Sequence, residues 1–480
     1  MKNKQIFSIA FFILFVSISV NGQSFSFPGT RMGNYTGVQS VFFNPAQAAD
    51  SRYKFDLNLF GINAGVGNNK ASFSLNSVFS TFSSNDALNS LFSGDGLISG
   101  QVNVDILGPS LLISLPKQSG IALTTRLRSQ FSITDLDGKL AKAVLDDLGS
   151  EVTLPYRIVS TANMRVNTNG WAEYGLTFGK VLYEQMDHFF KAGATIKYLA
   201  GAGNTYFQID QLNTTIIKDP NPTSSNLYLQ TGSRGVVGLG VSGGLESITP
   251  SALLNSASNG IGADLGFVYE YRPELNRKHP YKFRVSLTLL DIGSIKYKRD
   301  LTKSGAFAMR VTSVPGFNLQ SLNGVAISDY KQFLSSNPNF TAAPGNNEET
   351  ISVSLPTTAQ AFVDVHLVNN LYLSAGTQLS LVNQDKPENP FLYSGFTLTP
   401  RYEGRGLGLY VPINYNNLTK LTMGTTLRLG PLYVGSGSIL SALLSQSKQA
   451  DVHVGLRLGI LKKVKTAKED EEQLKMILEN

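Results

Sequence analysis

Residues 259–272 read NGIGADLGFVYEYR, with apolar or aromatic side chains at Ile261, Ala263, Leu265, Phe267, Tyr269 and Tyr271 and with Gly262, Asp264, Gly266, Glu270 and Arg272 between them, Val268 excepted. The same period of two returns in Leu371, Leu373, Ala375, Leu379 and Leu381 against Tyr372, Ser374, Gln378 and Ser380, and in Leu421, Met423, Leu427 and Leu429 against Lys420, Thr422, Thr426 and Arg428. A strand sends alternate side chains to opposite faces, and about 9–11 residues suffice to cross a bilayer at a tilt. The pattern therefore predicts transmembrane strands whose apolar face meets lipid and whose polar face lines a lumen.

Runs of this kind are found at 53–64, 100–115, 120–133, 160–182, 189–208, 259–272, 281–298, 356–367, 371–383, 391–402, 405–416, 420–429, 431–439 and 450–461. They number fourteen, and an even number closes an antiparallel barrel. With the N-terminus in the periplasm, the short turns at 117–119, 184–188, 274–280, 368–370, 403–404 and 430–431 share one side, and the connections 65–99, 134–159, 209–258 and 299–355 face outward. A soluble sandwich also alternates, but its strands run nearer 5–6 residues and need no such asymmetry of loops. The fold expected is an all-β transmembrane antiparallel barrel of about fourteen strands over 52–461.

The flanks complete the layout. Lys2 and Lys4 precede an apolar run from Ile6 to Val20, with small residues at Val20 and Gly22, the form of a secretory signal peptide over 1–22. Residues 23–51 carry Pro28, Gly29, Gly33, Gly37 and Pro45 without alternation, which predicts an N-terminal plug segment. Beyond Leu461 the chain turns charged, and Thr466 to Glu469 forms a capping box ahead of Leu474, Ile477 and Leu478, predicting a short periplasmic helix over 462–480. That tail is either a solvated end or a contact for a periplasmic partner. Removing the first 22 residues takes away two lysines and leaves 39 basic against 34 acidic side chains, a charge of +5 without the clustered basic patch of a nucleic-acid binder. Absence of cysteine excludes disulfides, thiolate metal sites, a cysteine nucleophile and a lipidated cysteine.

Several local patterns bear on chemistry. Gly238 to Gly243 fits a dinucleotide fingerprint and Gly240 to Gly244 the G-x-S-x-G elbow around Ser242, yet both require a strand, turn and helix of an α/β unit; a glycine-rich outer loop is expected. Asp-Val-His occurs at 364–366 and 451–453, and Asp364 with His366, and Asp451 with His453, are expected to form two lumen ion pairs far apart, not a catalytic set. No histidine spacing suits a metal, no cofactor is implied, and no catalytic residue is assigned. Period-two reading turns Arg126, Arg128, Lys191, Lys197, Arg272, Lys282, Arg284, Arg401, Arg428 and Arg457 inward, with Asp56, Asp105, Glu173, Asp264, Glu270 and Asp364. The basic excess either holds an anionic group of a ligand, for which Arg126, Arg128, Lys197, Arg284, Arg401, Arg428 and Arg457 are the candidates, or pairs internally and stiffens the wall. The apolar phase switches from Val102, Val104 and Ile106 to Leu111, Ile113 and Leu115 across Gly108-Pro109, marking a bulge or wall kink. Val78, Phe79, Phe82, Leu88, Leu91 and Phe92 make an outer loop greasy, as a capture site or as packing over the barrel mouth.

The stretch Ser40 to Ala49, reading SVFFNPAQAA and leading into the first strand, resembles the start of long-chain fatty-acid transporter (FadL-like) outer-membrane proteins, in which an Asn-Pro-Ala motif ends the N-terminal hatch. Asn44, Pro45 and Ala46 match it, and the resemblance extends over 23–461, most closely to a Bacteroidetes-type branch described as a domain of unknown function. It departs from the pattern at the end, where Leu458, Ile460 and Leu461 lead into a tail in place of a closing aromatic residue. The resemblance implies a location in the outer membrane, amid its lipid, and passage of hydrophobic or amphipathic, fatty-acid-like molecules, with Gly108-Pro109 as a lateral opening. The alternative is a non-transporting scaffold or secretion-associated barrel, because function does not travel with a fold.

Overall fold

The computed structural model describes residues 26–74, 96–144, 153–161, 163–243, 257–273, 281–345 and 348–462. The signal peptide, the greasy outer loop and nearly all of the tail lie outside them.

Twenty-four strand segments join one antiparallel sheet. Six of these, Tyr156–Val159, Leu227–Gln230, Arg234–Gly243, Gly305–Arg310, Gly316–Asn318 and Phe340–Ala342, lie beyond the wall. Four interruptions divide single wall strands in two, so 24 less 6 less 4 leaves fourteen. In chain order they are β1 (Tyr53–Asn68), β2 (Leu97–Leu107 and Ser110–Leu115), β3 (Ser119–Asp137), β4 (Met164–Gln185), β5 (His188–Lys218), β6 (Asn259–Tyr271) and β7 (Phe283–Lys298). There follow β8 (Thr350–Ser354 and Thr358–Val368), β9 (Leu371–Ser380), β10 (Gly395–Glu403), β11 (Leu407–Tyr410 and Ile413–Asn416), β12 (Lys420–Met423 and Thr425–Leu429), β13 (Leu432–Ser436) and β14 (Gln449–Leu461). Each wall strand pairs with its neighbour in sequence, and β14 closes on β1 through Leu57↔Leu458 and Asn63↔His453. Closure leaves no edge, the condition under which strands can cross a membrane. All fourteen runs read from the sequence became wall strands.

The barrel is inverted relative to a soluble protein. Its outward face carries Ile196, Ile261 and Leu421 at 67, 73 and 65% exposure, while the lumen buries Asp56, Asp364 and Thr426 completely. This apolar belt around a closed ring places the protein in the outer membrane. Among the described residues, the short turns at 117–119, 184–188, 368–370, 403–404 and 430–431 lie at the end where Arg52 O accepts from Lys462 N, the periplasmic end, and most of the long connections lie at the other.

Those connections do more than link strands. β4 and β5 run 22 and 31 residues, far beyond the 9–11 needed to span, so their outer halves stand in water. The six extra segments, with helices Gly138–Val144 and Tyr330–Ser336, pack on them around Met164, Ile216, Leu229, Phe307, Phe317 and Phe340. Three of the stretches expected as long loops, 134–159, 209–258 and 299–355, thus contribute to an outer cap with its own apolar core. Gly238–Gly243, expected in a loop, lies within one of its strands; Ser242 is buried in a ladder with Asn204, not raised on an elbow. Lys282, expected inside, is exposed at the rim because β7 begins one residue later.

Leu265, 40% exposed near the middle of β6, faces lipid while Gly266 faces the lumen. Leu265→Arg should cost about 2–4 kcal/mol of folding free energy in lipid, whereas Leu265→Phe should be tolerated. Heat-modifiable mobility and urea unfolding in vesicles check this; equal tolerance of both changes would remove the lipid-facing assignment.

Candidate functional site

A non-repetitive segment inside a barrel brings peptide groups that no ladder satisfies, and each buried one left bare is costly. The described part of the plug, 26–50, meets this with two short 3-10 turns, Gly37–Phe42 and Pro45–Ala48, and with charged side chains from the wall. Glu403 accepts from the amides of Asn34 (2.9 Å) and Tyr35 (3.2 Å), and Asp56 from that of Val38 (2.7 Å). In the opposite sense Arg284 donates to Met32 O, Arg457 to Tyr35 O, and Lys191 to Ala49 O. Arg272 reaches Asp50 at 3.0 Å. Charges on the wall thus act largely as partners for plug backbone.

Asn44 caps the second turn, its Oδ1 accepting from Ala46 N at 2.9 Å while Nδ2 donates to Ser286 Oγ at 2.7 Å. Pro45 occupies the first position of that turn, where no N–H is missed. Four wall glycines on consecutive strands make room for it. A Cβ on Gly120, Gly179, Gly193 or Gly266 would lie 2.0 Å from Ala48 O, 2.8 Å from Ala49 N, 2.5 Å from Pro45 or 2.0 Å from Asn44 Oδ1. The Asn44-Pro45-Ala46 motif is seated in this notch, low in the barrel.

Above the plug a second set of charges spans six consecutive strands. Arg126 (2.9 Å) and Arg128 (3.4 Å) meet Asp105; Arg128 also meets Glu173 (3.1 Å) and Asp291 (2.7 Å). Lys197 contacts Glu173, Asp264 and Asp291 at 3.4, 2.8 and 2.6 Å. Arg401 grips Asp364 with two bonds of 2.6 and 2.7 Å, beside Arg284, and orients Glu403 at 3.2 Å. Arg457 pairs with Asp56, and Arg428 donates to Gly404 O and Arg405 O at the rim and lies over the Tyr35 ring. All seven cations singled out from the sequence therefore have protein partners.

The two Asp-Val-His pairs do not form, and this corrects the expectation of lumen Asp–His ion pairs. Asp364 binds Arg284, directly opposite on β7, and Arg401, which reaches it from β10 across β9, while His366, half-buried at the rim, bonds to Asn369 O at 2.7 Å. Asp451 is taken by Gly437 N and Ser438 Oγ at 2.6 Å each, while His453 meets Thr426 Oγ1 at 2.9 Å. Side chains two apart on one strand lie about 7 Å apart, farther than direct cross-strand neighbours at about 5 Å.

Asp291 and Glu403 escaped the period-two reading. Asp291 sits in a bulge at a left-handed φ of 58°, which turns it inward out of phase with Ser286 and Thr288; Leu289-Leu290 followed by Asp291 and Gly293 was the available signal. Glu403 ends β10 where the sequence reads as a turn.

At Gly108-Pro109 the structure has a bulge on the β3 side only. The register against β1 runs on unbroken, Gly61↔Leu107 to Asn58↔Ser110, whereas against β3 it shifts by one between Leu107↔Arg126 and Leu111↔Leu123. The extra residue keeps the apolar set outward after the phase switch. The main-chain bond from Gly108 N to Thr125 O (2.9 Å) persists across the bulge, and side chains satisfy the remaining carbonyls: Thr125 Oγ1 donates to Pro109 O (3.0 Å), and from within Asn58 Nδ2 donates to Gly108 O (2.9 Å) and Leu107 O (3.3 Å). Asn58 is held in turn by plug residue Gln39 at 3.0 Å. Outside the bulge lies an apolar hollow of about 690 Å³ lined by Leu57, Pro109, Leu123, Leu176, Ile196 and Tyr198. Inside, just above it, a polar chamber of about 50 Å³ is enclosed by plug residues Ser26, Arg31 and Phe43, by Asp105, Arg126 and Gln130 of the wall, and by Leu392.

Residues 45–437 match the model of a family of unknown function (DUF5723). The chain belongs to this family. No curated protein matches it. Among solved structures it is similar to a Pseudomonas aeruginosa FadL homologue, at 9% identity and a TM-score of 0.42 over 91% of this chain and 98% of that one. It is also similar to the Pseudomonas putida toluene transporter TodX, at 11% and 0.33 over 91% and 98%, and to the Escherichia coli outer membrane phospholipase A, at 12% and 0.24 over 88% and 99%.

Removing one member of a buried ionic set strands the others. Asp291→Asn should destabilise the DUF5723 barrel by about 3–5 kcal/mol, measured by unfolding in detergent. Gly193→Val, in the notch, should instead leave the wall folded and expose the plug to added protease. A plug as resistant as in the unaltered protein would show that the notch does not seat it.

Proposed function

We propose that this barrel passes hydrophobic or amphipathic molecules through its wall at the Gly108-Pro109 bulge. The observation that carries this reading is the chain of contacts Gln39–Asn58–Gly108, in which the plug holds the side chain that bonds the bulge carbonyl beside an apolar hollow. The polar chamber one residue pair above the bulge receives the head of an amphiphile, and the hollow outside receives its tail. Arg284 and Arg457 hold the plug, whereas Arg126, paired with Asp105 at the chamber, is the cation that a carboxylate head meets through a charge-assisted bond. No step requires a nucleophile or a cofactor.

One observation favours the alternative of a non-transporting scaffold: the lumen cations are already matched by wall acids or plug carbonyls, as in an interior built for rigidity.

The test removes the bulge. Gly108→Val with Pro109→Thr restores a regular strand, and Thr125→Ala accompanies them because a Cβ on Gly108 would lie 2.4 Å from Thr125 Oγ1. Uptake of a labelled fatty acid should fall in the triple variant at an equal amount of folded barrel, and Thr125→Ala alone should not reduce it. Undiminished uptake in the triple variant would dismiss the lateral route, and no uptake by the unaltered protein would establish the scaffold reading in its place.

A further inference from the structure

Strands β9 and β10 stay paired up to Gln378↔Gly395, and Ser380 N donates to Ser394 Oγ at 3.0 Å, so the two ends of residues 381–394 stand side by side. A two-residue hairpin would have joined them. The chain instead folds inward across the outer part of the lumen. Its inner side buries Asn389, Leu392 and Tyr393, while Asp385 and Lys386 remain exposed on the outer side. Asn389 Nδ2 to Asn383 O (2.9 Å) and Gln384 Nε2 to Leu392 O (2.7 Å) fold the segment on itself.

Its attachment to the wall relies mainly on neutral amide donors, Arg165 excepted, where the plug is met by full charges. Arg165 donates to Gln384 O (2.7 Å), Asn167 to Pro387 O (2.5 Å), Asn204 to Glu388 O (2.8 Å) and Gln101 to Phe391 O (2.9 Å). With the bond from Ser354 N to Asn389 Oδ1 (2.9 Å), these are single hydrogen bonds that water replaces when the segment swings out. The lumen row Gln130 Oε1, Ser132 Oγ and Thr134 Oγ1 on β3 runs from the chamber toward the outer end, buried and without a protein hydrogen-bond partner. Buried polar atoms in such a row are served by water.

We infer that residues 381–394 form an outer gate, so that the chamber is an occluded compartment between this gate and the N-terminal plug. The gate is a regulatory element of the site proposed above and rests on that reading for what it admits, though not for its own motion. When it lifts, the amide and hydroxyl row along β3 leads a polar head group from the outer face to the chamber. The plug then remains as the second barrier, so the lumen is not open from end to end.

The chain has no cysteine, so a single thiol reports on the chamber. Gln130→Cys in the full-length protein, in whole cells, is treated from outside with a membrane-impermeant maleimide. Labelling should be slow with the native segment and about tenfold or more faster when 383–390 are replaced by a Gly-Ser turn, and likewise in Asn167→Ala with Asn204→Ala, which removes two anchoring hydrogen bonds. Heat-modifiable mobility selects folded protein in each case, and the shortened loop decides alone if the double variant fails to fold. Rates that are the same in all proteins, whether fast or slow, would overturn the gate. Accelerated labelling without any fatty-acid uptake would keep the gate and dismiss the passage of amphiphiles, so the two readings fail separately.

Discussion

The structure turns on the need to satisfy an irregular backbone inside a closed wall. A barrel completes its own hydrogen bonds, but residues 26–50 enter it with amides and carbonyls that belong to no ladder. The wall answers with full charges: Glu403 and Asp56 for plug amides, Arg284, Arg457 and Lys191 for plug carbonyls. Charges strong enough for this task must themselves be neutralised once buried, which explains the second set of contacts from Arg401 to Asp364 and from Arg457 to Asp56.

The same constraint shapes the notch. A turn pressed against a sheet can approach only where side chains are missing, and Gly120, Gly179, Gly193 and Gly266 supply that clearance on β3, β4, β5 and β6. Their place in the strands weakens local β-propensity, a cost offset by docking of Asn44 to Ala49. Plug, notch and charges form one unit on the lower half of the lumen. The bulge at Gly108 belongs to it as well, because the side chain that bonds its carbonyl is held by Gln39.

Above this unit the interior changes character. Asp105, Arg128, Glu173, Lys197, Asp264 and Asp291 tie six strands together with few contacts to the plug, and amides and hydroxyls replace charges toward the outer end. The outer cap continues β4 and β5 into water with an apolar core of the usual kind. One chain thus solves three solvent problems in succession, lipid around the belt, a polar lumen within it, and water above.

Alternation by itself determined the wall. A lipid-facing side chain and a lumen-facing one alternate without exception except at bulges, so the fourteen strands, their order and the inward position of Arg126, Arg128, Lys197, Arg284, Arg401 and Arg457 were readable from period two. The phase switch around Gly108-Pro109 disclosed a bulge for the same reason. What tertiary structure alone decided is which inward residues meet. Asp364 met Arg284 and not His366 because a residue directly opposite on the next strand lies closer than the next-nearest residue along one strand, and the long Arg401 side chain reached the same carboxylate from β10, across β9. Asp291 turned inward through a left-handed bulge, the glycines became a notch only beside Asn44 to Ala49, and loops that look alike in composition became a cap or an inserted segment. These depend on contacts between residues tens to hundreds of positions apart, which a local pattern does not carry.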